Sequence, residues 1–125
     1  MNLKVKSKKI NDFTYELAIS AKWSEIKEDF NAAKKKVAKE IKLPGFRKGK
    51  VPESILMSQY IHSVEMGFVQ DFCEKYYLMA LQEEKLTPIN QAQLKDIDFS
   101  YEKDLSFKSE FEIELNKLMR KHFPY

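Results

Sequence analysis

Residues that carry catalytic or cross-linking chemistry are scarce in this sequence. Its 125 residues include one cysteine, two histidines, one tryptophan, three glycines and four prolines. The single cysteine, Cys73, excludes an internal disulfide and suits a reducing compartment. His62 and His122 are too few to complete a metal site with Cys73 or to serve a nucleophile triad. We therefore expect no catalytic residue, no metal and no cofactor, and a protein that is not an enzyme.

Long hydrophobic runs are also missing. The longest apolar run, from Tyr76 to Leu81, is far shorter than the ~20 residues that span a bilayer. The first six residues, Met1 to Lys6, contain two lysines and lack the apolar stretch of a signal peptide. The sequence therefore argues against secretion and against a membrane partner, and it predicts a cytoplasmic protein.

Positive charge is concentrated in one segment of the chain. Residues 34–50 contain eight basic side chains and one acidic one, a net +7, which leaves −4 for the rest of a chain whose net charge is +3. The basic members are Lys34, Lys35, Lys36, Lys39, Lys42, Arg47, Lys48 and Lys50. This distribution predicts a polyanionic partner that meets the protein at one place. The alternative is a solvated helix face that is merely rich in lysine.

Hydrophobic periodicity predicts two strands and then a helix in the first third of the chain. Apolar side chains alternate with lysines from Leu3, and alternate again from Phe13 to Ala21 after a turn at residues 11–12. From Ser24, a candidate N-cap, the period becomes helical. The apolar residues that share this helix face are Ile26, Phe30, Ala33, Val37 and Ile41.

The rest of the chain predicts two more helices and two more strands. Helical spacing begins at Pro52 and again at Ile61, and the second of these helices ends near Glu84. A third strand is predicted at Leu94, Ile97, Phe99 and Tyr101, with a bulge at residues 95–96, and a fourth from Leu105 to Leu115. Strands at both ends of a helical middle predict an α+β fold, β-β-α-α-α-β-β. Its four-stranded antiparallel sheet would carry the helices packed on one face.

The segment between the first two helices has an unusual composition. Residues 44–52 hold two of the three glycines and two of the four prolines. The glycines are separated by three residues instead of four, and Val51 stands where a phosphate-binding loop needs Ser or Thr, so we expect no nucleotide site. Phe46 has two interpretations. It is either a hydrophobic plug over the helix ends or an exposed anchor beside Arg47, as in interface hot spots.

The loop Gly45-Phe46-Arg47-Lys48-Gly49-Lys50-Val51-Pro52 resembles the signature loop of the trigger factor family, bacterial chaperones that dock beside the ribosomal exit tunnel. It lies between a basic helix and a helical pair, and the flanking pattern agrees over residues 1–115. The resemblance implies that residues 1–115 form the family's N-terminal ribosome-binding domain. It also implies that the loop tip is the docking element, with nascent or unfolded polypeptides as the clients.

The resemblance assigns roles to particular residues. The docking loop comprises Phe46, Arg47 and Lys48 at the tip, together with Gly45, Gly49 and Lys50. The expected partner is the large ribosomal subunit, through a protein at the exit tunnel and through ribosomal RNA. On the preceding helix, Lys34, Lys35, Lys39 and Lys42 are expected to guide the approach electrostatically.

Two further functions stay open. Family members continue into a prolyl isomerase domain, whereas this sequence ends at Tyr125 after a short tail, residues 116–125, of helical character; no isomerase activity is carried over. One alternative is a free-standing chaperone that binds unfolded proteins without the ribosome, alone or as a homodimer. Its candidate apolar surface comprises Tyr60, Met66, Met79, Leu118 and Met119. The other, a general RNA-binding module, is the weakest, because no strand face interleaves aromatic and basic side chains for base stacking.

Overall fold

A computed structural model describes residues 2–114. The strands are β1 (Leu3–Lys9), β2 (Thr14–Ala21), β3 (Gln93–Asp98) and β4 (Leu105–Glu112), and the helices are α1 (Trp23–Glu40), α2 (Glu53–Gln59) and α3 (Ile61–Glu84). The sheet has the order β1-β2-β4-β3, and all neighbouring strands are antiparallel. The predicted α+β class and element order are confirmed. Leu115 and the predicted tail, 116–125, lie outside the described residues.

The core forms between one face of the two central strands and the helices α1 and α3. Alternate side chains of β2 and β4 are buried, as the period-2 pattern predicts, with Leu17 and Phe107 almost wholly inaccessible. They meet Phe30 of α1 and Phe68 of α3, whose rings pack edge to face at 5.7 Å. Because only this face is covered by helices, the opposite face of the sheet is open to solvent.

The start of β2 differs from the prediction. Phe13 precedes the strand and is 46% exposed, because the Asn11 side-chain oxygen accepts hydrogen bonds from the backbone N–H groups of Phe13 and Thr14 and holds a turn there.

The start of α1 also differs from the prediction. The N-cap is Lys22 and not Ser24, and the first helical N–H, that of Trp23, donates to the Asp104 carboxylate at 2.8 Å. A carboxylate 81 residues away thus satisfies a helix terminus that a local Ser was expected to cap.

The two long helices are joined by polar contacts as well as by apolar packing. Asp29 of α1 accepts a 2.7 Å hydrogen bond from the Tyr76 hydroxyl and pairs with Lys75 at 3.2 Å, both residues of α3. At Gly67 of α3 the helices approach closely, since a Cβ there would lie 3.3 Å from the Val37 side chain. These contacts set the direction in which α1 leads into the following loop.

The predicted bulge in β3 is confirmed, with a register shift between Lys95 and Asp98 and a positive φ of 52° at Asp96. The predicted extension of β3 to Tyr101 is wrong. Phe99 leaves the ladder after the bulge and packs against Phe68, 4.8 Å between ring centroids, so burial of the ring replaces strand pairing. The sequence predicts a fourth strand that reaches Leu115, but β4 ends at Glu112, and Ile113 pairs with Pro88 in an isolated bridge.

Candidate functional site

The loop between α1 and α2 consists of two consecutive β-turns. The Phe46 N–H donates to the Leu43 carbonyl at 3.1 Å, and the Lys50 N–H donates to the Arg47 carbonyl at 2.9 Å. The third residue of each turn is a glycine in the left-handed region, Gly45 with φ +91° and Gly49 with φ +82°. These are the φ values of type II turns, in which glycine avoids the strain that a Cβ would cause. The chain therefore reverses twice, and Phe46 and Arg47 lie at the junction.

The rest of the loop is attached to the body of the protein. A Cβ at Gly49 would lie 3.8 Å from the Cα of Lys39, so the second turn lies against the last turns of α1. Val51 is 9% exposed and anchors the end of the loop, and Pro52 is the N-cap of α2. A fixed loop of this kind presents its tip in one orientation, which lowers the entropic cost of binding a partner.

The tip residues are on the surface. Phe46 is 39% exposed and belongs neither to the buried core nor to the partly buried side chains packed against it. Arg47, Lys48 and Lys50 are exposed, and within residues 2–114 none of them has an ion-pair partner. Of the two interpretations of Phe46, this placement agrees with the exposed anchor.

The basic face of α1 is smaller than its sequence indicates. Lys34 is paired with Glu53 of α2 at 2.6 Å, and this pairing lowers the pKa of the Glu53 carboxyl, through a hydrogen bond first and through charge second. Lys36 pairs with Asp71 of α3 at 3.1 Å. Lys35 and Lys39 are exposed on α1. Lys42 is exposed too, but it is not on the helix as predicted, because α1 ends at Glu40 and the backbone of Ile41 is extended. Lys34 therefore ties α1 to α2, a contact that the sequence did not indicate because nothing local places Glu53 beside it.

Other candidates for chemistry do not come together. The described part of the chain has no group of three His, Cys, Asp or Glu side chains that could hold a metal ion. Cys73 is buried and its pKa is raised to about 12 by burial, so the thiol is a core side chain. His62 is exposed on α3, with its Nδ1 3.3 Å from Glu65. Among residues 2–114, no helix is both long and apolar enough to cross a membrane.

An apolar groove lies between α3 and the end of β3. Its volume is about 510 Å³, and Met66, Val69, Ile97 and Phe99 line it together with His62, Glu65 and Gln70. Met66 is 65% exposed and Ile97 is 42% exposed, whereas Tyr60 and Met79, which the sequence offered as apolar surface, are half-buried against the core. The sequence identified Met66 but did not indicate Ile97, which faces outward because of the bulge.

Comparison with known proteins gives the family. Residues 2–116 match the family model described as bacterial trigger factor protein. The chain belongs to the trigger factor family. Trigger factor of Bdellovibrio bacteriovorus is 30% identical over 120 residues, which are 96% of this chain and 28% of that protein. Trigger factor of Prochlorococcus marinus is 38% identical over 95 residues, 74% of this chain and 20% of that protein.

A solved trigger factor structure has the same fold. The structure comes from work on promiscuous substrate recognition by the trigger factor chaperone in folding and assembly. It matches 89% of this chain, and 26% of its own length, with a TM-score of 0.70 and 18% sequence identity. At this identity the match establishes the fold alone. The chain spans about a quarter of the length of the trigger factors that it matches.

Proposed function

We propose that this chain is a ribosome-docking chaperone domain that binds the large ribosomal subunit beside the exit tunnel and assists nascent polypeptides. The observation that carries the proposal is the double turn, which holds Phe46 exposed among three cations at the basic end of α1, in a member of the trigger factor family. The protein acts by binding and not by catalysis, in the cytoplasm where ribosomes translate.

The side chains at the tip make two kinds of contact in this proposal, one apolar and one charged. Phe46 enters an apolar cleft on a ribosomal protein, where a buried aromatic ring contributes most per residue. Arg47 presents a planar fork that suits a carboxylate or a phosphate, and Lys48 and Lys50 add point charges for acidic side chains or ribosomal RNA phosphates. The two turns are formed before binding, so the partner does not have to order the loop.

The lysines of α1 guide the approach. Lys35 and Lys39 on the helix and Lys42 just beyond its end extend the positive surface towards the loop, where long-range attraction raises the association rate. Lys34 contributes less to this field than the sequence indicates, since its charge is compensated by Glu53 at 2.6 Å.

Co-sedimentation with purified ribosomes tests the proposal. The variant Phe46→Ala/Arg47→Ala/Lys48→Ala should lose ribosome binding while its free energy of unfolding changes by less than about 0.5 kcal/mol, because all three side chains are exposed. The matched control Phe13→Ala/Lys8→Ala/Lys27→Ala removes one exposed aromatic and two exposed cations elsewhere and should still bind. Retained binding by the tip variant contradicts the proposal, and a large loss of stability shows that Phe46 supports the core.

The groove between α3 and β3 favours a second function, a free-standing chaperone. Its apolar wall offers an unfolded segment a place to dock, and methionine side chains adapt to varied partners. Light scattering of a refolding client at rising protein concentration separates the two functions. Docking through the tip predicts weak protection by the monomer, strengthened if two copies pair. Strong protection at stoichiometric concentration by a demonstrated monomer would instead favour the free-standing chaperone.

A further inference from the structure

The open face of the sheet carries a second positive surface, far from the loop. Lys4 and Lys6 of β1 and Lys108 of β4 surround a trough of about 290 Å³ whose floor is formed by Ala18, Ser20 and Ser106. We call this surface the lysine trough. Because α1 begins two residues after the end of β2 and is about 27 Å long, its length separates the trough from the loop.

The strand register gives the trough its shape. Lys4 lies opposite Ser20, which lies opposite Ser106; Lys6 lies opposite Ala18, which lies opposite Lys108. From strand geometry, the Cα atoms of Lys4 and Lys6 are about 6.7 Å apart along β1. The Cα atoms of Lys6 and Lys108 are about 10 Å apart, which is two strand spacings. The small side chains between them leave the floor low, so the three cations border a shallow channel instead of a flat surface.

The charges of the trough are largely uncompensated. Within residues 2–114, no carboxylate lies within 4 Å of the Lys4 or Lys6 ammonium groups, and Lys108 has one exposed partner, Asp96, at 3.8 Å. Such exposed pairs are weak and give way to a better partner. At one end of the trough, the carboxylates of Glu25 and Asp104 accept hydrogen bonds from the Asn2 and Trp23 backbone N–H groups. At the other end, the next carboxylates on the same face, Glu16 and Glu110, are paired with Lys95 at 3.3 and 2.9 Å.

An alternative role for these lysines is to prevent other chains from pairing with the edge of the sheet, but this role explains only part of the trough. Lysines on an edge strand prevent pairing with other chains, and β1 is an edge strand, so Lys4 and Lys6 could serve that purpose. Lys108, however, is on the central strand β4, where no edge needs protection. The three cations instead converge on one channel, with the Ser20 and Ser106 hydroxyls as donors beneath them.

We infer that the lysine trough binds the phosphate backbone of RNA without regard to base sequence. Lysine binds phosphate as a point charge, and three ammonium groups along one channel suit a partner that carries repeated negative charges. Serine hydroxyls are common phosphate contacts. Phe107, the aromatic residue of the lining, is 2% exposed because its ring is buried in the core, so it offers no surface on which a base could stack. The contact is therefore with the backbone alone. This inference does not rest on docking through the loop, since the two surfaces share no residue.

Fluorescence anisotropy with labelled 12-nucleotide oligouridylate and oligoadenylate tests the inference on the full chain. The two oligonucleotides should bind equally. In Lys4→Gln/Lys6→Gln/Lys108→Gln the affinity should fall at least tenfold at low salt. The slope of log affinity against log salt should decrease by about 2, as expected for three lost phosphate contacts. The charge-matched control Lys27→Gln/Lys85→Gln/Lys103→Gln replaces exposed lysines outside the trough and should keep most of the binding; an equal loss there would show that only net charge matters.

A further variant, an NMR titration and an acidic peptide test where binding occurs and what is bound. Asp96→Asn removes the competing carboxylate, and asparagine tolerates the positive φ of this position, so RNA affinity should rise severalfold without loss of fold. In a titration followed by NMR, the backbone amides of Ser20 and Ser106 should shift even when Arg47, Lys48 and Lys50 are replaced by Gln. Shifts confined to residues 34–50 would overturn the inference. Equal binding of an oligoglutamate peptide that is lost in the same variant would overturn it too, in favour of an acidic protein partner.

Discussion

Cys73 shows how one residue takes its chemistry from its surroundings. Its side chain is 1% exposed among the apolar side chains of α3 and the sheet. Burial raises the pKa of the thiol to about 12, because a thiolate there would lose its hydration. Three residues on, burial also raises the pKa of the Tyr76 hydroxyl, with the hydrogen bond to Asp29 as a further cause. Both groups are therefore neutral in the folded protein, where Cys73 packs in the core and the Tyr76 hydroxyl donates to Asp29.

The stability of the protein should therefore fall between pH 9 and pH 10. The unfolded thiol ionises in this range while the folded thiol keeps its proton, so the folded state binds more protons and loses stability as the pH rises. The loss from Cys73 cannot exceed about 1.4 kcal/mol for each pH unit. Urea unfolding at pH 8, 9 and 10 measures it. Cys73→Ala should show a flatter profile over this range, and an identical profile in the variant would contradict the assignment to the thiol.

At the scale of elements, the two turns of the loop depend on backbone conformations that side chains rarely adopt. Gly45 and Gly49 have positive φ, and each is the third residue of a hydrogen-bonded turn. No atom lies within 4 Å of a Cβ built on Gly45, and at Gly49 the nearest is an ordinary contact at 3.8 Å. Conformational strain and not crowding is therefore what requires glycine at both positions.

Gly49→Ala should destabilise the protein by about 1 kcal/mol or rearrange the second turn, since alanine is strained at φ +82°. Ribosome binding should weaken at the same time, because Arg47 and Lys48 belong to that turn. Gly49→Asn should lose less of both, as asparagine tolerates positive φ better than alanine does. Thermal unfolding and ribosome co-sedimentation of the two variants give the comparison. A larger loss in Gly49→Asn than in Gly49→Ala would show that the added volume, and not the backbone angle, is responsible.

The proposed steering role of the α1 lysines has its own test in association kinetics. Lys35→Gln/Lys39→Gln should slow ribosome association mainly at low salt and leave dissociation unchanged, since screened attraction acts on the approach. Lys8→Gln/Lys85→Gln makes the same charge change outside residues 34–50 and should slow association less. Stopped-flow association at two salt concentrations provides the measurement. An equal loss of affinity at both would mean that these lysines make close contacts with the ribosome.

The elements could be predicted from the sequence because their signals are local. The alternation of β2 and β4 and the helical spacing of α1 and α3 follow from burial on one face. What local pattern could not indicate were contacts between distant residues: Asp104 at the start of α1 and Glu53 beside Lys34. At the candidate site, the glycines and prolines predicted a turn at the tip, but the exposure of Phe46 depends on how the whole loop lies on α1.

At the scale of the molecule, strands from both ends of the described residues are joined in one sheet. β2, from the first part of the sequence, pairs along its whole length with β4, from the last part. Beyond this ladder, the Ile113 N–H donates to the Phe13 carbonyl at 2.8 Å and the Ile89 N–H donates to the Glu112 backbone carbonyl at 2.9 Å. The three helices lie between β2 and β4 in the sequence, so the core is complete only when β4 has paired with β2.

This arrangement predicts where the chain can be shortened. A fragment of residues 1–115 should fold with a thermal midpoint within about 4 °C of the full chain, because it keeps β4 and the pairing of Ile113 with Phe13 and Pro88. A fragment of residues 1–104 should not fold, since it lacks β4, and with it the central partner of β2 and β3. Circular dichroism melts of both fragments and the full chain make the test. A much lower midpoint for residues 1–115 would show that residues 116–125 belong to the folded domain, and the predicted domain boundary would be wrong.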